Sequence, residues 1–180
     1  EGGIAEALGL ARHFADEGPV VVILGDNIFQ QPIRPAVEAF RADPTGAQIL
    51  LKEVDDPHRF GVARLEGGRV VEIIEKPKDP PSRLAVTGCY FFDPRVFGII
   101  GALKPSDRGE LEITDVNNRY VAWGAMRYHM LDGWWTDAGT IPSLHRAANL
   151  LAGEQDNPVL AGFRSGGVGP HEHDPHGAGA

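Results

Sequence analysis

The six apolar residues Pro19-Val20-Val21-Val22-Ile23-Leu24 run without interruption into Gly25-Asp26-Asn27. A β-branched run of this length with no polar alternation predicts a strand covered on both faces, as in an α/β sheet. It also delivers an aspartate just past the strand's carboxyl end, where open α/β sheets bind their ligands. These two properties constrain the fold class and point to a functional rim.

The neighbouring segments agree with that class. Ile4, Leu8, Ala11 and Ala15 recur at helical spacing and predict an amphipathic helix over residues 3–15, weakened at Gly9. A helix is expected over 32–42, opened by proline, and a second strand over 47–53. Two strand-like runs, 61–66 and 69–74, flank Gly67-Gly68 and predict a β-hairpin. The proline-rich stretch 76–82 reads as a loop, 85–92 as a strand, 94–103 and 114–123 as helices, and 126–131 as a strand. Thr140 is placed to cap a last helix over 142–152, closed by Gly153. The order predicts one α/β domain, a Rossmann-like sheet with an antiparallel hairpin subregion, over residues 1–153. Residues 154–180 turn to Gly, Pro and His and read as a disordered tail. Its His171, His173 and His176 fit a solvated tail better than a metal site.

Composition removes several function classes. A formal net charge of −8 lacks the basic footprint that nucleic acid requires. No apolar stretch approaches the ~20 residues that span a bilayer, so no membrane partner is expected. The one cysteine, Cys89, excludes an internal disulfide, suits a reducing cytoplasmic setting and reads as a small core residue. The opening Glu1-Gly2-Gly3 carries no starting Met, and the chain reads as a fragment of a longer protein.

Three segments carry candidate chemistry. Asp26 follows the first strand. Asp137, in Trp134-Trp135-Thr136-Asp137-Ala138-Gly139-Thr140, follows another strand-like segment. Each alone is equally a turn aspartate. Together they fit a shared Mg²⁺, which takes one or two carboxylates and completes its shell with water and phosphate. In Ile73-Ile74-Glu75-Lys76-Pro77, a strand ends in a carboxylate and an ammonium. Both reach one pocket if the strand stops at Glu75; otherwise they are a solvated edge pair. Lys76 suits a phosphate and Glu75 suits sugar hydroxyls. Arg108, beside Gly109, can approach a phosphate closely. Glu110 and Glu112 precede a helix, where the helix dipole favours negative charge.

These residues, with Gly3-Ile4-Ala5-Glu6-Ala7, Arg59-Phe60-Gly61-Val62, Val86-Thr87-Gly88 and the run 108–117, resemble the bacterial sugar nucleotidyltransferases. The likeness is strongest to their thymidylyl branch, which uses dTTP and glucose 1-phosphate. It spans residues 3 to about 151. It implies transfer of a nucleoside monophosphate to a sugar 1-phosphate, with release of pyrophosphate, in dTDP-sugar synthesis. It further implies that Asp26 and Asp137 hold Mg²⁺, and that Lys76 and Arg108 grip the sugar phosphate. By the same likeness, Gly61, Glu75, Thr87 and Gly88 line the sugar pocket and Gly3 lies against the base. A homo-oligomer is implied for the full-length protein.

The resemblance also predicts a glycine-rich loop with an Arg and a Lys ahead of Glu1, so this chain is expected to lack the family's first strand and half its NTP site. Other readings are a truncated sugar-phosphate-binding module without catalysis, use of UTP or another sugar 1-phosphate, and a nucleotide-sugar glycosyltransferase. The absence of an Asp-x-Asp after the first strand argues against the last.

Overall fold

The structure, a computed structural model, describes residues 2–16 and 18–153. The tail and its three histidines lie outside the described residues. The elements are helices α1 (Gly3–Leu10) and α2 (Arg12–Ala15), strands β1 (Val20–Ile23) and β2 (Asn27–Phe29), α3 (Arg34–Ala42) and β3 (Ala47–Glu53). A 3-10 turn (Pro57–Arg59) leads to β4 (Gly61–Glu66), β5 (Arg69–Glu75), β6 (Leu84–Phe92), α4 (Val96–Ala102) and α5 (Ile113–Ala122). Last come β7 (Met126–Met130), β8 (Trp135–Asp137) and α6 (Ile141–Gly153).

The main sheet runs β5-β4-β6-β3-β7, with β1 also paired to β6. The fold is α/β, as expected, with a mixed sheet. Among the described residues β3 and β7 pair in parallel, while β1, β4, β5 and the β3/β6 pair are antiparallel. The predicted hairpin forms: Gly67 and Gly68 both have positive φ, 56° and 75°, the values a tight primed turn demands. Strand β3 is buried from Ala47 to Leu51. Ile49 and Leu51 pack with α1, α4 and α5 residues such as Leu8, Ile100 and Val116. Leu50 faces the other way, onto Phe40 of α3, Cys89 and Phe91. Helices thus cover both faces, and each fully buried Leu or Ile contributes about 1.5–3 kcal/mol. Cys89 is a core thiol, which burial pushes up to about 12. No helix among the described residues is long and apolar enough to cross a membrane.

Three local expectations change. The helix over 3–15 breaks at Ala11, whose N–H bonds the carbonyl of Leu8 and so tightens the turn. Strand β1 is not covered on both faces: it pairs only with β6 among the described strands, and Val21 and Ile23 are 46% and 53% exposed. Strand β2 lies where only a turn was expected after the first strand.

Strand β6 is the element that makes the site. Strand β3 follows one of its edges from Leu84 to Phe92. The two other neighbours must share the opposite edge. Val62 of β4 stands opposite Ala85, and β1 lies opposite Cys89 to Phe92. Val86-Thr87-Gly88 falls between them, in register with neither. The β3 ladder is also interrupted here, stepping from Ile49↔Tyr90 to Leu51↔Val86. A bulge of this kind bends the strand and re-aims its side chains. There Gly88 bonds the 24–27 segment instead, its carbonyl accepting from the Leu24 N–H and its N–H donating to Asn27 Oδ1.

Candidate active site

Asp26 and Asp137, far apart in the chain, are brought onto neighbouring backbone segments beside Gly88 of β6. Strands β2 and β8 form a two-stranded antiparallel sheet with Asn27 opposite Asp137 and Phe29 opposite Trp135. The Ala138 N–H donates to the Asp26 carbonyl at 2.6 Å. Gly139 allows this approach, since a Cβ there would lie 2.7 Å from Asp26 Oδ2. The space beside the Asp26 carboxylate is therefore kept open by a missing side chain. Two hard carboxylates, Asp26 in the turn ahead of β2 and Asp137 at the end of β8, with that opening, fit Mg²⁺. No group of three or more His, Cys, Asp or Glu gathers among the described residues. The donor set thus suits an ion that takes much of its shell from water and phosphate.

Asn27 orients Asp26. Its Oδ1 accepts from the Gly88 N–H and from Trp135 Nε1, each at 2.8 Å. That fixes the sense of the amide, so Nδ2 donates to Asp26 Oδ1 at 2.9 Å. Gly88 must be glycine here, because a Cβ would stand 2.4 Å from Asn27 Nδ2.

The second cluster forms where β5 ends. Strand β5 stops at Glu75, and Lys76 takes a left-handed φ of 43°, with its side chain turned toward that of Glu75. Lys76 Nζ lies 3.7 Å from Glu75 Oε1, and Arg108 Nη2 lies 3.9 Å from the same oxygen. Thr114 Oγ1 donates to Glu75 Oε2 at 2.6 Å. Gly61 stands opposite Glu75 in the ladder and leaves the space above it clear.

Arg108 is gripped mainly by Glu112, at 2.9 Å to each carboxylate oxygen, and that hydrogen bonding and charge raise its pKa further. Burial disfavours the Glu112 carboxylate, but Ser106 and Arg108 outweigh it and hold the group below its ordinary value. Glu112 stands at the helix start, as expected. It occupies the N-cap of α5 without a side-chain cap hydrogen bond, and its carboxylate also accepts from Ser106 and Arg108. Glu110 packs by its Cβ near Gly3.

The two clusters share a wall. Phe60 accepts the Lys76 N–H on its carbonyl, and its ring packs on Trp135 with centroids 5.1 Å apart. Tyr90 lies between them. Burial, then the charges of Glu75 and Asp26, push its phenol up. Thr87 is fully buried, and its Oγ1 has no hydrogen-bond partner among the described residues. Gly3, with φ 84°, presses on the Leu111 carbonyl, 2.6 Å from where a Cβ would be.

The structure thus places the expected residues in two groups, Asp26 and Asp137 beside Gly88, and Gly61 with Glu75, Lys76 and Arg108, joined through Phe60 and Tyr90; Thr87 is buried in β6 and Gly3 lies behind the Arg108 loop. Sequence reasoning assigned no role to Asn27, Arg59, Tyr90 or Thr114. Asn27 and Thr114 sit inside motifs already singled out, whereas Tyr90 reads only as core.

Known proteins bear on this arrangement. The family profile described as "Nucleotidyl transferase" matches residues 1–154. The chain is 42% identical over 151 residues to the low-salt glycan biosynthesis nucleotidyltransferase Agl11 of Haloferax volcanii, covering 83% of this chain and 42% of that protein. It is 42% identical over 153 residues to a glucose-1-phosphate thymidylyltransferase of Xanthomonas campestris, covering 83% and 52%. Among solved structures, a Bacillus anthracis protein in complex with sucrose, provisionally named a glucose-1-phosphate thymidylyltransferase, superposes with TM-score 0.79. It shares 55% identity over 87% of this chain and 63% of that one. A UDP-glucose pyrophosphorylase at 24% identity, with TM-score 0.75 over 86% and 62%, shares the fold. The chain spans about half the length of the curated relatives it matches.

Proposed function

The chain belongs to the nucleotidyl transferase family, and from that premise we propose that the full-length protein transfers a thymidylyl group from dTTP to glucose 1-phosphate. The products are dTDP-glucose and pyrophosphate. The observation that carries this reading is the β2/β8 pairing, which brings Asp26 beside Asp137, with Phe60 joining that pair to the Glu75–Lys76–Arg108 cluster through the Lys76 N–H and the Trp135 ring. The names of the relatives favour thymidine and glucose over UTP or another sugar.

The chemistry is a displacement at phosphorus. An oxygen of the sugar phosphate forms a bond to the α-phosphorus of the nucleotide, and the bond from that phosphorus to the β-bridging oxygen breaks. The bonding pair leaves with pyrophosphate. The nucleophile is already an anion, so positioning and charge compensation do the catalytic work. Lys76 and Arg108 offset the repulsion between two phosphate groups. Glu75, held by Thr114, accepts from sugar hydroxyls in the space Gly61 leaves open. Asp26 and Asp137 would hold Mg²⁺, which supplies Lewis-acid neutralisation of phosphate charge. Such chemistry belongs in the cytoplasm, where nucleoside triphosphates are made.

The test is pyrophosphate release by the full-length protein across four NTPs and several sugar 1-phosphates. The expected preference is dTTP with glucose 1-phosphate. Asp137→Asn should lower turnover on the order of 10²-fold or more, as for loss of other groups that stabilise transition-state charge. Near-normal turnover in that variant removes the metal assignment.

A further inference from the structure

Arg59 stands against Asp137 with no role in the chemistry described above. It ends the 3-10 turn Pro57–Arg59, one residue ahead of Phe60 and β4. Its guanidinium is forked between two carboxylates. Nη1 reaches Asp56 Oδ2 at 3.1 Å, and Nη2 reaches Asp137 Oδ1 at 3.5 Å. The group lies over the Phe60 ring, 5.2 Å from its centroid, and Phe60 packs on Trp135 in the same strand as Asp137. Arg59, Phe60, Trp135 and Asp137 line one cavity of about 210 Å³. The guanidinium is thus held against Asp137 by the ring beneath it and by Asp56.

The two contacts are unequal. The arm on Asp56 is at hydrogen-bonding distance. The arm on Asp137 is longer and takes only one of its oxygens. A contact of that length is largely coulombic, and it can be given up without stranding the guanidinium, because Asp56 still pairs it. The Asp56 and Asp137 carboxylates would repel without the positive group that lies between them. An arginine stays charged at every working pH.

We propose that Arg59 is a positioning residue that acts as a resident counter-charge. It holds Asp137 in the metal-free site and competes with a divalent cation for that carboxylate. The proposal rests on the reading of Asp26 and Asp137 as a metal site. A cation arriving at Asp137 must displace the Nη2 arm or sit beside its positive charge, and either lowers cation affinity. The pairing with Asp56 sets how firmly Arg59 competes.

The test is a titration of the full-length protein with Mn²⁺ in the absence of nucleotide, with free Mn²⁺ read by electron paramagnetic resonance. Arg59→Met should bind Mn²⁺ more tightly, on the order of tenfold, the size expected when one neighbouring like charge is removed. Loss of a merely structural contact would loosen the site and cannot raise affinity. Asp56→Asn releases the outer arm and should weaken Mn²⁺ binding. If it acts through Arg59, it should have little further effect in the Arg59→Met background. Unchanged or weaker binding by Arg59→Met overturns the proposal. Asp137→Asn separates the two ways of failing. If that variant loses Mn²⁺ while Arg59→Met matches the parent, only the Arg59 proposal falls. If it binds Mn²⁺ normally, the metal reading falls and takes the Arg59 proposal with it.

Discussion

An amide side chain accepts at one end and donates at the other, and at Asn27 both ends are committed. Oδ1 serves the Gly88 and Trp135 N–H groups, and Nδ2 serves Asp26. Two substitutions separate its structural work from its chemical work. Asn27→Ala leaves two donors without an acceptor and should cost about 2 kcal/mol or more of stability in urea denaturation. Asn27→Asp keeps the acceptor but turns a carboxylate oxygen toward Asp26. Most of the stability should remain while pyrophosphate release falls at least about tenfold, the effect of roughly 1.4 kcal/mol at the transition state. Equal turnover in Asn27→Asp and the parent would remove Asn27 as the residue that orients Asp26. Asp26 and Asp137 were legible in the chain because each is a carboxylate after an apolar run with glycine close by. Asn27 was not, because its partners lie 61 and 108 residues away and only the fold brings them to it.

Among the elements, the β4/β5 hairpin positions the sugar-side cluster, and its register puts Gly61 opposite Glu75. A Cβ at Gly61 would lie 3.4 Å from Glu75 Oε2 and 3.6 Å from Thr114 Oγ1, in contact but without a clash. Gly61→Ala should therefore fold with an unchanged melting temperature. The KM for glucose 1-phosphate should rise on the order of tenfold, as when one methyl group fills a fitted pocket, with the KM for the nucleotide unaffected. A parallel rise in both constants would mean that this space does not belong to the sugar. The hairpin was readable because two glycines separate two β-rich runs. The α6 cap was equally so, with Thr140 and Ser143 exchanging side-chain and backbone hydrogen bonds. Strands β2 and β8 have three residues each, too few for any period to show, and they are the pair that assembles the metal candidates. The exposure of β1 was hidden for a different reason. A run of valines reports that a strand is apolar, not whether a neighbour covers it.

Across the whole molecule, one buried carboxylate ties the layers together. Asp93, 5% exposed, follows β6 and accepts from the Gly46 N–H ahead of β3 at 2.6 Å, from Arg95 ahead of α4, and from the Tyr120 hydroxyl of α5 at 2.9 Å. Tyr120 stacks on Phe92, and the Arg95 guanidinium lies 5.1 Å from the Trp123 ring. Burial works against the charge on Asp93, but the hydrogen bonds from Arg95, Gly46 and Tyr120 outweigh it and hold the carboxyl below its ordinary range. A depressed folded-state pKa gives stability that is present above the unfolded value, about 3.9. That stability is lost as the pH falls through the lower folded value. Asp93→Asn should cost on the order of 2 kcal/mol at pH 7, as for hydrogen bonds to a charged group. The two proteins should converge as the pH drops below about 4, because the parent then loses the same charge. Urea midpoints taken across that range test the argument, and a gap independent of pH would show that shape rather than charge makes the knot. Asp93 follows the end of β6, away from the Val86-Thr87-Gly88 segment. The variant's KM values at pH 7 should therefore match the parent's even though its stability does not.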